Sequence, residues 1–394
     1  MQGRGRRVAI TGFGVVAPCG IGKEAFWAGL NGPGISSGRS IEIVDWDPSP
    51  YYESTKESRR ADKVEQFAIA AAAECFEHAG RPNVDASRFG TIFGTGVGGL
   101  RSIQEQIEVL IAKGERRVSP FTVPMMMPNA GGAAISMRYG LKGPNETITT
   151  ACAASTHAIG YAARLIAWDM IDACVTGGSE SAGCTIGTSS FGNMTALSTS
   201  GYSRPFSPER DGFVLGEGSA AFMLEEWSVA VARGATIYGE VVGAASNADA
   251  HHITAPAPGG AGAILCMELA LRDADLTIAD VRQINAHGTS TPLNDAAEAA
   301  AITAVFGPGA VPVTSTKGVT GHALGAAGAL EAAALLLSMQ HRLIPPTAGT
   351  QQLDEGFEID LVMGKARPWE PGPSLSNSLG FGGHNGSIVI SPPT

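Results

Sequence analysis

Two segments of this chain repeat one pattern that few folds can accommodate. Each begins with a short β-branched strand, passes through a turn with a reactive side chain, and continues as an Ala/Gly-rich helix that is almost uncharged at its start. The first runs from Thr147 to Trp168 around Cys152, and the second from Val311 to Leu337 around His322. Helices with so little charge are buried on most sides. The repeat predicts duplicated βα units that pack their helices together between sheets, with Cys152 near His322.

The length and composition agree with such an architecture. A chain of 394 residues with 44% apolar content has room for two domains, or for one large duplicated domain. Fifty-two glycines and only 16% charged residues are typical of layered α/β enzymes with many tight turns. The pattern also predicts helices at Lys23 to Leu30 and at Ala261 to Ala274. A second half is expected to begin near Val241.

Charge and hydropathy exclude several classes of partner. The formal net charge of −10 argues against nucleic acid, which requires a positive field. No apolar run reaches the ~18 residues needed to cross a bilayer, so no membrane insertion is expected. A strand, V-A-I-T-G-F-G, follows the basic start directly and leaves no room for a signal peptide. Six scattered cysteines without C-x-x-C spacing indicate reduced thiols. The sequence predicts a cytoplasmic protein.

Cys152 is the first candidate for a catalytic residue. It lies where a β-branched strand gives way to a helix, so its thiol faces the positive end of the helix dipole and unpaired backbone N–H groups. That environment is expected to favour the thiolate and to receive an oxyanion. A small core cysteine is the alternative reading for any single cysteine.

Three further side chains stand on glycine-flanked turns of the second half, namely His287, Lys317 and His322. Each alone is more often structural, but their joint placement after strands indicates a catalytic site. The segment Thr91 to Gly99 has G-x-G-x-x-G-like spacing. No acidic residue follows a second strand at ~20 residues, so these glycines are expected to shape a turn rather than bind a dinucleotide.

Cys, His, Lys and His in this order resemble the β-ketoacyl-acyl-carrier-protein synthases of the condensing-enzyme family. The resemblance covers nearly the whole chain, and its motifs are similar to the synthase II type: T-A-C-A-A-S-T-H-A-I-G, R-P-F-S-P-E-R-D-G-F-V-L-G-E-G, A-H-G-T-S-T-P-L-N-D, K-G-V-T-G-H-A-L-G-A-A-G and N-S-L-G-F-G-G. It implies a thiolase-like five-layer αβαβα fold and a homodimer. Residues 1–242 would form the half with the nucleophilic cysteine, and residues 243–394 the half with both histidines and the lysine.

The resemblance also implies a reaction, the decarboxylative Claisen condensation of an acyl chain with malonyl-acyl-carrier protein in fatty acid elongation. Cys152 would take the acyl chain from phosphopantetheine, which the carrier protein brings, so the enzyme would need no cofactor of its own. His287 and His322, as neutral Nε donors, would stabilise the enolate formed as CO₂ leaves. Backbone N–H groups of Cys152 and Phe381 would form the oxyanion hole. Lys317 would fix geometry and field together with Glu331, since a free lysine is protonated at neutral pH.

Further roles carried over from the family concern the rim of the site. Phe381, between glycines, would act as a gate, and His384 stands where the family usually has Thr. The other residues with expected roles are Thr289, Thr291, Gly380 and Gly382 as support; Ile103 and Phe191 in an acyl pocket; Lys56, Arg59, Arg60, Arg116 and Arg117 in docking of the acidic carrier protein; and Asn285, Glu331, Ser376 and Asn377 as oxygen-bearing ligands of a structural Na⁺ or K⁺.

Other readings fit less well. A thiolase would need a second catalytic cysteine near its end, and this chain has none after Cys266. A chalcone-synthase type would have Asn in place of His322, and a papain-like hydrolase has no need of two histidines and a lysine. A ketosynthase for a polyketide or another specialised chain remains the alternative, although T-S-T-P-L-N-D favours fatty acid elongation. An inactive scaffold would not need the whole set.

Overall fold

The computed structural model describes residues 5–36 and 38–393. The strands within these ranges are β1 (Val8–Ala17), β2 (Gly20–Ile21), β3 (Phe89–Gly94), β4 (Asn145–Ile148), β5 (Ala173–Glu180), β6 (Gly218–Glu226), β7 (Gly239–Ala248), β8 (Gln283–Asn285), β9 (Pro312–Thr314), β10 (Leu343–Ile344), β11 (Asp360–Leu361), β12 (Arg367–Pro368), β13 (Ser374–Gly380) and β14 (His384–Ser391). The helices are α1 (Lys23–Leu30), α2 (Thr55–Ser58), α3 (Lys63–Ala79), α4 (Leu100–Lys113), α5 (Thr122–Met126), α6 (Ala130–Tyr139), α7 (Ala154–Ala167), α8 (Thr185–Asn193), α9 (Trp227–Ala232), α10 (Ala261–Ala274), α11 (Pro292–Phe306), α12 (Lys317–Thr320) and α13 (Ala327–His341).

The strand order is repeated in the two halves of the chain. The first half has the order β4-β3-β5-β6-β1, and the second has β9-β8-β13-β14-β7. In both, the first three strands of this order pair in parallel and the last two pairs are antiparallel. The halves join where β1 pairs with β7 through Ala9 with Glu240 and Ile10 with Gly239. Two copies of one α/β unit therefore account for ten of the twelve strands of the sheet, and the short strands β2 and β11 are added to them.

Helices α7 and α13 form a layer between the two sets of strands. Helix α7 contacts β3 and β5 of the first half and β7 and β14 of the second, and α13 contacts β6 and β13 as well as α7. Helices α3 and α6 cover the outer face of the first set of strands, while α10 covers β7 and β14 of the second and α11 packs against α10. These contacts give five layers and confirm the predicted duplicated α/β fold.

The central helices are buried because their sequences allow it. Every residue of α13 from 327 to 339 is buried, and Glu331 is the one charged side chain among them. The helices approach closely at Gly328, where a Cβ would lie 2.0 Å from Thr156 Oγ1. Burying each Leu or Val side chain of such a helix contributes about 1.5–3 kcal/mol, whereas a buried carboxylate requires a partner.

The division of the chain expected at residues 242 and 243 falls inside β7. Since β7 is the innermost strand of the second half, we propose that the halves meet in the connection between α9 and β7, at residues 233–238. In the described residues, no helix has both the length and the apolar content that a transmembrane span requires.

Candidate active site

Three reactive side chains from distant parts of the chain meet at the ends of the central helices. Cys152 Sγ lies 3.1 Å from His322 Nε2. The rings of His287 and His322 cross at 83° with centroids 5.2 Å apart. All three side chains are buried, and their ligating atoms lie within 4.8 Å of one another. The structure thus places together the cysteine and the two histidines that the sequence singled out.

Cys152 is held by a strained turn between β4 and α7. It lies in the 3₁₀ turn Ala151–Ala153, and Ala151 has a φ of 50°, a left-handed conformation that costs a residue with a Cβ about 1–2 kcal/mol. Burial raises the pKa of the Cys152 thiol to about 12, although the Lys317 ammonium and the backbone N–H groups of Phe381 and Cys152 act in the opposite direction. The expectation that the turn favours the thiolate is therefore wrong for this state, because desolvation outweighs the Lys317 charge and these backbone N–H groups.

His322 is fixed through its backbone by the long irregular segment of the first half. Its N–H donates to Val214 O at 2.7 Å, and Gly216 N–H donates to its carbonyl at 2.9 Å. The Phe213 ring stands edge-on to the imidazole at 5.1 Å between centroids. The motif D-G-F-V-L-G-E-G therefore fixes the backbone of His322 by hydrogen bonds to both its N–H and its carbonyl. Burial, and then the Lys317 ammonium, lower the pKa of His322 well below its usual range, so the ring is neutral.

His287 follows β8 and is fixed by a buried carboxylate. The backbone N–H groups of His287 and Gly288 donate to Glu298 at 2.7 and 2.8 Å. Burial raises the pKa of Glu298 to about 7. The pKa of His287 is held well below its usual range by burial first and by Lys317 second. Both imidazoles of the site are therefore neutral near pH 7.

Lys317 is buried behind the histidines and does not reach the cysteine. Its Nζ donates to the carboxylate of Glu331 and to the His287 carbonyl, the latter at 2.5 Å, and it lies 3.3 Å from His287 Nδ1. Both members of the Lys317–Glu331 pair are 1% exposed. Burial raises the pKa of Glu331, and the ammonium lowers it. This pair fixes His287 and sets the local field.

A cavity of about 330 Å³ opens beside the three reactive side chains. Phe381 and Phe191 line it, with their ring centroids 6.4 Å apart. Ile103 lies half-buried on α4, outside the set of residues that line the cavity. Thr289 and Thr291 also line it, and their hydroxyl oxygens lie 2.9 Å apart.

The glycines around Phe381 permit close backbone packing. A Cβ on Gly380 would lie 3.2 Å from the Cys152 backbone nitrogen, which places the Phe381 segment directly over the nucleophile. Gly382 has a φ of 82° and donates its N–H to Ile253 O at 2.7 Å. His384 is half-buried, pairs with Gly380 in the β13–β14 ladder, and has its ring 6.5 Å from that of His157.

A cluster of unpartnered polar atoms lies behind the site. Asn285 and Ser376 are partners in the parallel β8–β13 ladder. The side-chain oxygens of Asn285 and Ser376 and one oxygen of Glu331 are buried without a hydrogen-bond partner. The side chain of Asn377 is already engaged, since its oxygen accepts from Ser387 and its nitrogen contacts Met267. Three oxygens with unused lone pairs fit a hard monovalent cation.

The two basic clusters are neighbours on the surface although 56 residues separate Arg60 from Arg116 in the sequence. Arg60 stacks over the Phe121 ring at 4.2 Å, and Phe121 follows shortly after the 3₁₀ turn Glu115–Arg117. All five cations of the expected docking surface, Lys56, Arg59, Arg60, Arg116 and Arg117, are exposed.

Two buried carboxylates that position the site were not predicted from the sequence. One is Glu298, described above. The other is Glu180 at the end of β5, which accepts from Gly96 N–H at 2.6 Å and from Gly325 N–H at 3.0 Å. It therefore joins a glycine loop of the first half to the turn that follows His322. Burial raises its pKa to about 7. The position of Glu180 at the end of an apolar strand, in G-G-S-E, is the sequence feature that could have predicted this role.

Comparisons with known proteins agree with this geometry. Residues 36–230 match the family model for the β-ketoacyl synthase N-terminal domain, and residues 238–351 match that for the C-terminal domain. The 3-oxoacyl-[acyl-carrier-protein] synthase 2 of Vibrio cholerae is 42% identical and covers 98% of this chain and 99% of its own. The protein of the same name from Coxiella burnetii is 41% identical, with 98% of each chain covered.

Solved structures show the same fold. A β-ketoacyl synthase from Burkholderia phymatum has a TM-score of 0.91 at 31% identity and covers 99% of this chain and all of its own. A type II polyketide ketosynthase, solved in complex with its acyl-carrier protein, has a TM-score of 0.90 at 31% identity with the same coverage. The matches span both halves and reach the cysteine, histidine and lysine turns. This chain belongs to the β-ketoacyl synthase family and has its thiolase-like fold.

Proposed function

We propose that this protein catalyses, in the cytoplasm, the condensation of an acyl chain held on Cys152 with malonyl-acyl-carrier protein, giving 3-oxoacyl-acyl-carrier protein and CO₂ in fatty acid elongation. The observation that carries the proposal is the contact of Cys152 Sγ with His322 Nε2 at 3.1 Å. The ring of His287 lies edge-on to that of His322, and all three side chains line a cavity. The relatives named 3-oxoacyl-[acyl-carrier-protein] synthase 2 are 38–42% identical over 98% of this chain, which supports the fatty acid pathway.

In the first step the acyl group moves from the phosphopantetheine sulfur of the carrier protein to Cys152 Sγ. The new thioester bond forms as the old one breaks, and the thiol proton of Cys152 ends on the departing phosphopantetheine sulfur. Because burial keeps this thiol protonated, its proton leaves as the new bond forms, and His322 Nε2–H, 3.1 Å from Sγ, stabilises the negative charge that develops on the sulfur. The backbone N–H groups of Cys152 and Phe381, which face the sulfur, stabilise the tetrahedral oxyanion.

In the second step the malonyl thioester carbonyl binds between the two imidazoles. Neutral His287 and His322 each donate an Nε2–H to its oxygen, and this lowers the cost of the enolate that remains when the carboxylate leaves as CO₂. The enolate carbon attacks the acyl-cysteine carbonyl, and the Cys152 sulfur leaves as a thiolate and takes a proton from solvent. Lys317 supports the step from behind, since it holds the His287 carbonyl at 2.5 Å.

The substrate carrier and the assembly extend this proposal. The exposed surface formed by Lys56, Arg59, Arg60, Arg116 and Arg117 would receive an acidic acyl-carrier protein on this otherwise acidic enzyme. A homodimer is supported by β4, which lies at the edge of the sheet, and by exposed Ile107, Leu110 and Ile111 on α4. Light scattering of the purified protein measures the assembly directly.

A structural Na⁺ or K⁺ is proposed at the oxygens of Asn285, Ser376 and Glu331. Without it, these buried lone pairs would lack partners, which costs about 1–3 kcal/mol each. The ion would hold α13 against β8 and β13, and it would take no part in bond making. Thermal unfolding in K⁺, Na⁺ and tetramethylammonium salts of equal ionic strength tests the site, because only the small cations would stabilise.

The activity is tested with acyl- and malonyl-acyl-carrier protein and isolation of the 3-oxoacyl product. Acyl chains of graded length determine the preferred substrate. A purified, folded protein that neither retains a labelled acyl group on Cys152 nor releases CO₂ would contradict the proposal. Labelling of Cys152 without elongation of any fatty acyl chain would reject the fatty acid pathway.

A further inference from the structure

The reactive side chains also form a soft-metal ligand set. One sulfur and two imidazoles, from Cys152, His287 and His322, have ligating atoms within 4.8 Å of one another. Among the residues that the structure describes, this is the only group of three or more Cys, His, Asp or Glu side chains placed so closely. Tetrahedral Zn²⁺ with one thiolate and two imidazoles requires bonds of ~2.3 and ~2.0 Å, and therefore ligand separations of about 3.3–3.7 Å. The observed 3.1 Å between Sγ and His322 Nε2 is close to that range.

The surroundings favour capture of a single ion. All three side chains are at least 94% buried, and the cavity beside them gives access and a place for a fourth ligand such as water. Histidine binds metal as a neutral imidazole, through the ring nitrogen that carries no proton. The nearest ammonium, Lys317, is paired with Glu331, so the two charges cancel. A sulfur and two nitrogens select Zn²⁺ or Cd²⁺ over Mg²⁺ and Ca²⁺.

We propose that Cys152, His287 and His322 form a reversible inhibitory site for a soft divalent cation of the Zn²⁺ type. Binding replaces the thiol proton by the metal: the Cys152 S–H bond breaks, an S–metal bond forms and the proton goes to solvent. In each imidazole the proton moves from Nε2 to Nδ1, so that the lone pair of Nε2 binds the ion, and no redox step occurs. The bound ion occupies the nucleophile and both imidazoles together. It therefore blocks acyl transfer and also shields the sulfur from electrophiles.

The inference goes beyond the proposed function, because metal binding is observable without any acyl substrate. Cd²⁺ is the probe, since a thiolate–Cd²⁺ bond gives a charge-transfer absorption in the near ultraviolet. We expect the wild-type protein to bind one Cd²⁺ with this band, and excess Mg²⁺ to leave it unchanged. Cys152→Ser should lose the band and bind Cd²⁺ at least ~100-fold more weakly, and His322→Ala at least ~10-fold more weakly.

Two controls make the result decisive. Cys19→Ser removes a partly exposed thiol outside the site and should leave the band unchanged. In the wild type, saturating Zn²⁺ should slow alkylation of Cys152 by iodoacetamide at least ~10-fold, and a chelator should restore the rate. A Cd²⁺–thiolate band that persists in folded Cys152→Ser overturns the proposal, as does alkylation of Cys152 that saturating Zn²⁺ does not slow.

Discussion

Cys152 lies in a 3₁₀ turn that begins at Ala151 with a φ of 50°, and Leu324, two residues after His322, begins an equivalent 3₁₀ turn with a φ of 41°. Each turn leads into a buried helix, α7 or α13. The buried polar side chains near the start of α7 are the uncharged Ser155 and Thr156, whereas α13 carries Glu331. The same turn-and-helix unit therefore occurs twice, with different buried polar side chains in the two copies.

The difference assigns separate tasks to the two halves. The first turn presents a sulfur to the cavity and to the backbone N–H of Phe381. The second presents an imidazole in front of a buried ion pair, Lys317 with Glu331. The nucleophile therefore lies in the first turn-and-helix unit, and the groups that stabilise charge lie in the second. A substitution in one unit can alter its task without changing the structure of the other.

The largest effect is expected from Cys152→Gln. Condensation should fall by ~10⁴-fold or more because no nucleophile remains. The glutamine carbonyl takes the place of the acyl-cysteine carbonyl at the Phe381 N–H, so release of CO₂ from malonyl-acyl-carrier protein should continue. Labelled CO₂ is measured beside Cys152→Ala, which offers no carbonyl and should release less. A folded Gln variant that is no better than Ala contradicts the separation of tasks.

Removal of either imidazole tests the second copy. His287→Ala or His322→Ala should lower malonyl decarboxylation by ~10²–10³-fold, because each takes away one donor to the enolate oxygen. Some acylation of Cys152 should persist in both, less in His322→Ala, whose imidazole contacts the sulfur. Single-turnover labelling with an acyl-carrier-protein thioester measures it. Complete loss of acylation in folded His287→Ala would show that the second copy also controls the nucleophile.

Glu331→Gln tests the buried ion pair itself. It leaves the Lys317 ammonium buried without its anion, so the free energy of unfolding should fall by about 3–5 kcal/mol. Chemical denaturation measures the change. Glu370→Gln, which breaks the exposed pair of Glu370 with Arg342, is the matched control and should change little. Equal changes in the two variants would contradict the importance of burial.

The carboxylates Glu180 and Glu298 predict a pH dependence in each half. Burial raises both pKa values from 4.5 to about 7, so the folded state holds protons that the unfolded state has released. The contribution of each protonated carboxyl group to the free energy of unfolding is fully present below pH 4.5 and is lost as the pH rises through 7. The free energy of unfolding should therefore fall by up to about 3 kcal/mol for each group over this range. Denaturation of the wild type and of each Gln variant between pH 5 and 8 measures it. A difference that grows in favour of the wild type with rising pH contradicts the sign.

The smallest effect is expected at the surface. Neutralising Lys56, Arg59 and Arg60 should lower kcat/KM for acyl-carrier-protein substrates by roughly 5–10-fold at low salt and less at high salt. Small acyl thioesters should be used as before, since these residues lie outside the cavity. Equal losses for both substrate types would reject the docking surface.

Much of this arrangement could be predicted from the chain, because periodicity and charge are local properties. The helices Lys23–Leu30 and Ala261–Ala274 have the predicted bounds, and the uncharged repeat led to the central helix pair. The glycines of Thr91 to Gly99 form a turn held by Glu180, as expected of a turn rather than a dinucleotide loop.

The features that could not be predicted depend on how deeply a residue is buried in the folded molecule, and no local sequence pattern indicates this. The raised pKa of Cys152 follows from desolvation by surrounding layers. The roles of Glu180 and Glu298 as backbone clamps appear only when loops distant in sequence meet. Ile103, chosen by resemblance alone, lies outside the cavity lining, whereas Phe191 lies within it.

The contact between α7 and α13 has a consequence for how the protein is made. Cys152 and His322 are 170 residues apart in the chain, so the site cannot exist until the second copy has been synthesised and docked. During translation the apolar surface of α7 is exposed until α13 packs against it. Contacts between segments so far apart in sequence form slowly. We expect recovery of activity to be the last event in refolding. A nascent chain stopped before α13 should be a substrate for chaperones.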